Sequence, residues 1–185
     1  MPSPQELPRI PPPRWVISDT HFGHANILTY CPWRQTWAYD VDQHDRLLIE
    51  AWNDIVDPDD WVLHLGDFAM GGAGTIADYR SQLNGRVCLV LGNHDRTATS
   101  MRSAGFDLVV RRGRLASAAG DILCIHDPAK VPDPIPDGTL QILHGHCHGK
   151  DPCGWLPAHL HPLVMDCCLD SLQSIAPVAW EAVTN

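Results

Sequence analysis

Five short clusters in this 185-residue chain carry side chains able to hold divalent metal ions: Asp19-Thr-His21, Gly66-Asp67, Gly92-Asn93-His94-Asp95, His126-Asp-Pro128 and Gly145-His146-Cys147-His148. Carboxylate, amide and imidazole donors in one set suit Mn, Fe, Zn, Co or Ni better than Mg alone. In Asp19-Thr-His21 and His146-Cys147-His148 the donors are spaced i, i+2. On an extended strand each such pair shares one face, with Cys147 turned away. One pair of this kind arises by chance in many chains and would serve as well as satisfied core residues. Five clusters, most of them behind an apolar run, do not fit that bland reading together.

The apolar runs predict the elements that carry these groups. Residues 15–18, 61–65 and 86–91 read as buried strands that deliver Asp19, Gly66-Asp67 and Gly92-Asn93-His94 at their ends. Leu47, Leu48, Ala51, Trp52 and Ile55 recur at helical spacing, so a helix is expected over 40–56. Asp40 or Asp42 would cap it, and His44 would lie on its solvated side. A second helix is expected over 75–83, stopped by Asn84-Gly85, and a short one over 97–104. Strands alternating with helices imply parallel pairing, and such sheets place their sites at the strands' carboxyl ends.

The second half reads as short strands at 107–110, 114–118 and 121–125, the last ending at His126. Residues 140–143 carry the His144–His148 run, 164–169 form the last strand, and 177–183 close the chain as a turn of helix. Arg111, Arg112 and Arg114 are expected to line a solvated strand edge, with a phosphate patch as the alternative. Residues 31–39, rich in Trp, form a lobe over the site entrance. There Trp33, Arg34 and Trp37 either pack the loop down or grip a base or phosphate. His24, Asn26, Arg34 and Arg96 are the candidate substrate contacts.

Hydrophobic residues make up 44% of the chain, enough for one domain with a real core. A net charge of −9 argues against a surface built for long nucleic acid or an anionic membrane. It is compatible with a small phosphorylated substrate, because bound dications reverse the sign locally. The seven cysteines, an odd number, come without a secretory leader or an apolar run near the roughly 20 residues of a membrane span. Reduced thiols and a cytoplasmic location are therefore expected. Cys147, Cys153, Cys167 and Cys168 match no zinc spacing and read as buried thiols. Residues 1–13 hold six prolines and read as a flexible leader to a single domain over 14–185.

The five clusters, in this order over residues 19–148, resemble the calcineurin-like metallophosphoesterase superfamily. The run Ile17–Asn26 looks most like its small single-domain members from phages and bacteria. The resemblance implies an α/β fold, a four-layer α/β/β/α sandwich with mixed sheets and a two-metal site. It implies that Asp19, His21, Asp67 and His148 hold one divalent metal ion, with Mn first among the choices. Asp67, Asn93, His126 and His146 would hold the other, Asp67 bridging. A hydroxide between the metals would attack phosphorus in line. His94 would be the catalytic group that steadies charge or protonates the leaving oxygen.

Protein phosphatases of the superfamily carry an aspartate where this chain has Met70, and their substrate-gripping arginines have no counterpart. The resemblance therefore favours a phosphodiesterase acting on cyclic or other small nucleotides. A metal-dependent nuclease or phosphomonoesterase is the alternative. A scaffold without catalysis is the third reading, disfavoured because every ligand and His94 are present.

Overall fold

Every apolar run in front of a ligand cluster forms a strand in the computed structural model, which describes residues 7–117, 120–151 and 156–184. The first half contains β1 (Trp15–Ile17), α1 (Ile27–Tyr30), a 3-10 turn at Pro32–Thr36 and α2 (Val41–Ile55). It continues with β2 (Trp61–His64), α3 (Ala73–Ser81), β3 (Arg86–Val90), α4 (Ala98–Ser103) and β4 (Leu108–Val110). The second half holds β5 (Arg112–Ala116), β6 (Asp121–Ile125), β7 (Thr139–His144) and β8 (Val164–Asp166). After these come α5 (Leu169–Leu172), β9 (Val178–Ala179) and α6 (Trp180–Val183).

Two sheets result. One has the order β4-β3-β2-β1-β9, parallel except for β9. The other runs β5-β6-β7-β8, with β5 antiparallel to its neighbour and the rest parallel. Alternation along each strand splits its apolar residues between two cores. In β3, Val87 and Leu89 face Trp52, Ile76 and Met101 of the helices. Cys88 and Val90 face Leu115, Cys124 and Leu143 of the second sheet. The outer face of that sheet is covered more thinly, by loop residues such as Val131, Ile135 and Leu163. The order of layers is the α/β sandwich expected, with helical turns and loops as its last layer.

Four local expectations change. The segment before residue 14 is not free chain throughout: Ile10 is 4% exposed, and Pro8 and Ile10 exchange backbone hydrogen bonds with Arg114. Residues 1–6 and Cys153 lie outside the described residues. Residues 178–179 pair antiparallel with β1 in place of the first turn of the expected helix. His44 is fully buried, because it lies four and eight residues from Leu48 and Trp52 on the inner face of α2. Its Nδ1–H donates to Asp45 and its Nε2 accepts from Arg34, so burial of a neutral ring is satisfied. Finally, the strands stop short of the donors. β1 ends before Asp19 and β7 before His146, so strand alternation does not place those side chains.

Candidate metal centre

What places them is left-handed backbone. Among the described residues, six other than glycine have positive φ, and five of these are Asp19, His21, Asp67, His146 and His148. Such conformations cost on the order of 1 kcal/mol or more each and persist where the surroundings over-determine them. Here the surroundings are backbone hydrogen bonds between loops: Asp19 N–H to Gly66 O at 2.9 Å and His21 N–H to Asp67 O at 3.0 Å. His94 N–H donates to Asp67 Oδ1 at 2.8 Å, and His146 N–H to Asp19 Oδ2 at 3.0 Å. The Asp95 carboxylate accepts three backbone N–H groups, from Asp67, Phe68 and Gly92, and so ties two loops together. Gly92 and Gly145 are required by close approach. A Cβ on Gly92 would fall on the Asp67 carboxylate, and one on Gly145 on that of Asp19.

The loops bring the donors into two adjoining groups. Asp19, His21 and His148 offer atoms within 4.8 Å of one another, and so do Asp67, His126 and His146. His146 stands in one group and His148 in the other. Asp67 Oδ2 lies 3.4 Å from His126 Nε2 and 3.7 Å from His21 Nε2, so this carboxylate stands between the two groups. Asn93 Oδ1 is 3.0 Å from His126 Nε2.

The donor set fits divalent cations. Asp19 Oδ1 and both ring nitrogens of His21 are buried without a hydrogen-bond partner. Leaving such atoms unmatched costs roughly 1–3 kcal/mol each, a cost that coordination would remove. Burial alone would raise the Asp19 pKa, but the imidazoles of His21, His126 and His148 hold it well below the usual carboxylate range. Burial would lower that of His126, yet the Asp67 carboxylate raises it to about 9. Likewise Asp170 outweighs burial and raises His148 to about 10. The carboxylates therefore demand positive charge in both groups.

The outer contacts fix ring orientation. His126 Nδ1–H donates to Leu65 O at 2.8 Å and His148 Nδ1–H to Asp170 Oδ2 at 2.8 Å, which aims each Nε2 at the centre. The Asp170 carboxylate also receives both forks of Arg34, at 3.0 and 2.8 Å. Arg34 is fully buried and bonds the backbone oxygens of Asp19 and Thr20. It is therefore part of the frame under the centre and not a substrate contact. At the end of β2, buried His64 donates from Nε2 to Thr20 and accepts Gly66 N–H at Nδ1; burial lowers its pKa to about 3, so the ring is neutral. Asp170 and His64 were not singled out from sequence, and His44 was expected on the solvated side of its helix. Asp170 had a usable signal, a carboxylate just beyond the last strand.

Of the other candidate contacts, His24 sits at the edge of the centre, its ring 5.6 Å from that of His21 and 6.4 Å from that of His94. Asn26 is exposed at the start of α1. Arg96 is exposed and borders a cleft that begins at Asn93 and His126. His94 is 41% exposed above the two groups, its Nε2 3.9 Å from Asp67 Oδ2. Cys147 turns away toward His144 and Asp166, as its position between the two histidines suggests. The cysteines other than Cys153 are buried free thiols.

Two substitutions test this frame. Arg34→Ala takes the guanidinium from Asp170, leaving it His148 alone, strips two buried carbonyls of their donor, and should destabilise by about 3–5 kcal/mol. That corresponds to a fall of roughly 10 °C in Tm in a thermal melt, and an unchanged Tm would show the pair to be dispensable. Asp170→Asn should weaken metal binding about 10–100-fold in a calorimetric titration with Mn. Unchanged affinity would mean that His148 needs no orienting partner.

Known proteins resemble this chain in sequence and in fold. The model of the calcineurin-like phosphoesterase family matches residues 12–164. Uncharacterized protein MJ1445 of Methanocaldococcus jannaschii is 31% identical over 74% of this chain and 69% of its own length. The Gene 66 protein of Mycobacterium phage L5 is 39% identical over 72% of this chain and 76% of its own. The protein of unknown function AQ665 from Aquifex aeolicus shares the fold, with a TM-score of 0.68 at 22% identity over 91% of this chain and 95% of that one. With paired donor groups at the carboxyl ends of its strands and the family's match along most of its length, the chain belongs to the calcineurin-like phosphoesterases, metal-dependent hydrolases of phosphoester bonds.

Proposed function

We propose that this phosphoester hydrolase is a dinuclear phosphodiesterase acting on small substrates, cyclic or other nucleotides, with Mn the first metal to test. The observation that carries the reading is Asp67 Oδ2, which stands between the Asp19–His21–His148 and Asp67–His126–His146 groups. Asn93 completes the second group through its amide oxygen. Two cations held there would bring bound water into the ionised form near neutral pH and offset charge on the phosphoryl oxygens.

The remaining work falls to the chain itself. Displacement at phosphorus forms one P–O bond, breaks another, and leaves an oxygen that needs a proton. His94 is the exposed imidazole over the centre, within reach of such an oxygen through its Nε2. Among the described residues its carboxylate neighbour is Asp67, 3.9 Å away and engaged with the donor groups. Asp95 is spent on three backbone amides, and Met70 stands where the protein phosphatases have aspartate. Both facts support the small phosphodiesterase over the protein-phosphatase type. No helix among the described residues is long and apolar enough to cross a membrane.

The reading is tested on metal-stripped protein with Mn restored, comparing bis(p-nitrophenyl) phosphate with p-nitrophenyl phosphate. Metal-dependent diester cleavage well above monoester cleavage is expected. Preference for the monoester would move the assignment to a phosphomonoesterase.

A further inference from the structure

Beside the metal centre lies a cleft of about 560 Å³ whose inner wall includes Asn93 and His126. Arg96, Arg111, Arg112 and Lys130 are among its other lining residues. Four cations around one cleft are notable in a chain with only 13 Lys and Arg and a net charge of −9. Two carboxylates, Asp95 and Asp127, share the lining. Asp95 is matched by three backbone N–H groups, and Asp127 by Lys130 at 3.1 Å and the amide of Ala129. No ion pair or hydrogen bond from the side chains of Arg111 or Arg112 is recorded among the described residues, whereas Arg114 two residues on pairs with Asp121 at 2.8 Å. The two unmatched guanidinium groups are exposed.

The topology accounts for their position. Leu91 N–H donates to Val110 O, so residue 111 leaves the first sheet level with Leu91, just before Gly92-Asn93. Residue 112 enters the second sheet opposite Ile125, one residue before His126. The crossing from sheet to sheet therefore sets two arginines at the lip between Asn93 and His126. Asp19, His21 and His148 do not line the cleft, so its cations lie to one side of the centre. A pair of cation-holding donor groups thus adjoins a cluster of positive charge at the guanidinium pair.

We propose that this cleft binds a second phosphate of the substrate. The preferred diester then carries at least one phosphate besides the one that is cleaved, as a short 5′-phosphorylated oligonucleotide does and a cyclic mononucleotide does not. This deepens the phosphodiesterase reading and rests on it for the position of the scissile group. Arginine's planar fork suits a terminal phosphate, and the pair acts at short range. Screening confines the pair's attraction to about 8 Å, and a longer polyanion would lie against a chain of net charge −9, so the cleft favours short substrates.

The test uses Mn-loaded protein and two diesters that differ by one phosphate, ApA and 5′-phosphorylated ApA. Wild type should prefer the phosphorylated dinucleotide by about tenfold or more in kcat/KM, equivalent to about 1.4 kcal/mol. In the Arg111→Ala/Arg112→Ala double variant the ratio should fall to within about threefold of unity. Both substrates are assayed in one preparation, so partial unfolding leaves the ratio unaffected. A wild-type ratio near one, or an unchanged ratio in the variant, overturns the proposal. Calorimetry on the same proteins with adenosine 3′,5′-bisphosphate and AMP supplies an arm independent of turnover. About tenfold tighter binding of the bisphosphate, lost in the variant, supports the cleft; equal affinities overturn it. If bis(p-nitrophenyl) phosphate is not cleaved with Mn present, the phosphodiesterase reading fails and the calorimetric arm alone decides the cleft.

Discussion

Asp67→Ala is expected to lower bound metal to one ion per chain or fewer and to cut turnover by roughly 10³-fold or more. Loss of a single preorganised electrostatic contact to a reacting group already costs about 10²–10³-fold, and Asp67 adjoins both donor groups. Its Oδ2 lies 3.4 Å from His126 Nε2 and 3.7 Å from His21 Nε2. Its Oδ1 accepts His94 N–H, so truncation also frees the loop that carries Asn93 and His94. Asp67→Asn separates the two effects, because the amide oxygen still accepts that N–H while the charge is gone. The loop should then hold, shown by an unchanged Tm, while metal content falls. Mass-spectrometric metal analysis of the purified variants gives the answer. A fully metallated, active Asp67→Ala protein would overturn the bridging role.

His94→Ala should behave in the opposite way, keeping its metal and losing activity. The side chain is 41% exposed and makes no hydrogen bond to the donor groups, so its removal leaves Asp19, His21, Asp67 and His126 in place. General acid catalysis contributes about 10²–10⁴-fold, and the loss should fall in that range for substrates with an alkoxide leaving group. A nitrophenolate departs more readily without a proton, so bis(p-nitrophenyl) phosphate should suffer less than a dinucleotide. Equal losses on both would assign His94 to charge stabilisation and not to protonation. Loss of metal in this variant would show the side chain to be a ligand.

The strands other than β9 and both longer helices were legible in the sequence because the periodicity that predicts them also buries them. Val87 and Leu89 face one core while Cys88 and Val90 face the other, as alternation requires. The donors were legible as types and in chain order. Their grouping was not legible from spacing, since Asp19, His21, His146 and His148 leave the strands in left-handed conformations fixed by contacts between loops. The same limit applies to the buried polar frame. Arg34 looked like a phosphate grip because its partner Asp170 lies 136 residues away. His44 looked solvated because the groups that satisfy it, Arg34 and Asp45, are brought together only by packing α2 on the loop before it. Arg111 and Arg112 looked like a strand edge. Their meeting with Asn93 and His126 follows from a crossing between sheets that no local pattern encodes.

The most direct test of the central claim is titration of metal-free protein with Mn, reading binding by calorimetry and turnover of bis(p-nitrophenyl) phosphate in the same samples. Two adjoining donor groups sharing Asp67 predict close to two Mn per chain, with turnover rising as the second site fills. Full turnover at one Mn per chain, or saturation at one, would contradict the dinuclear centre.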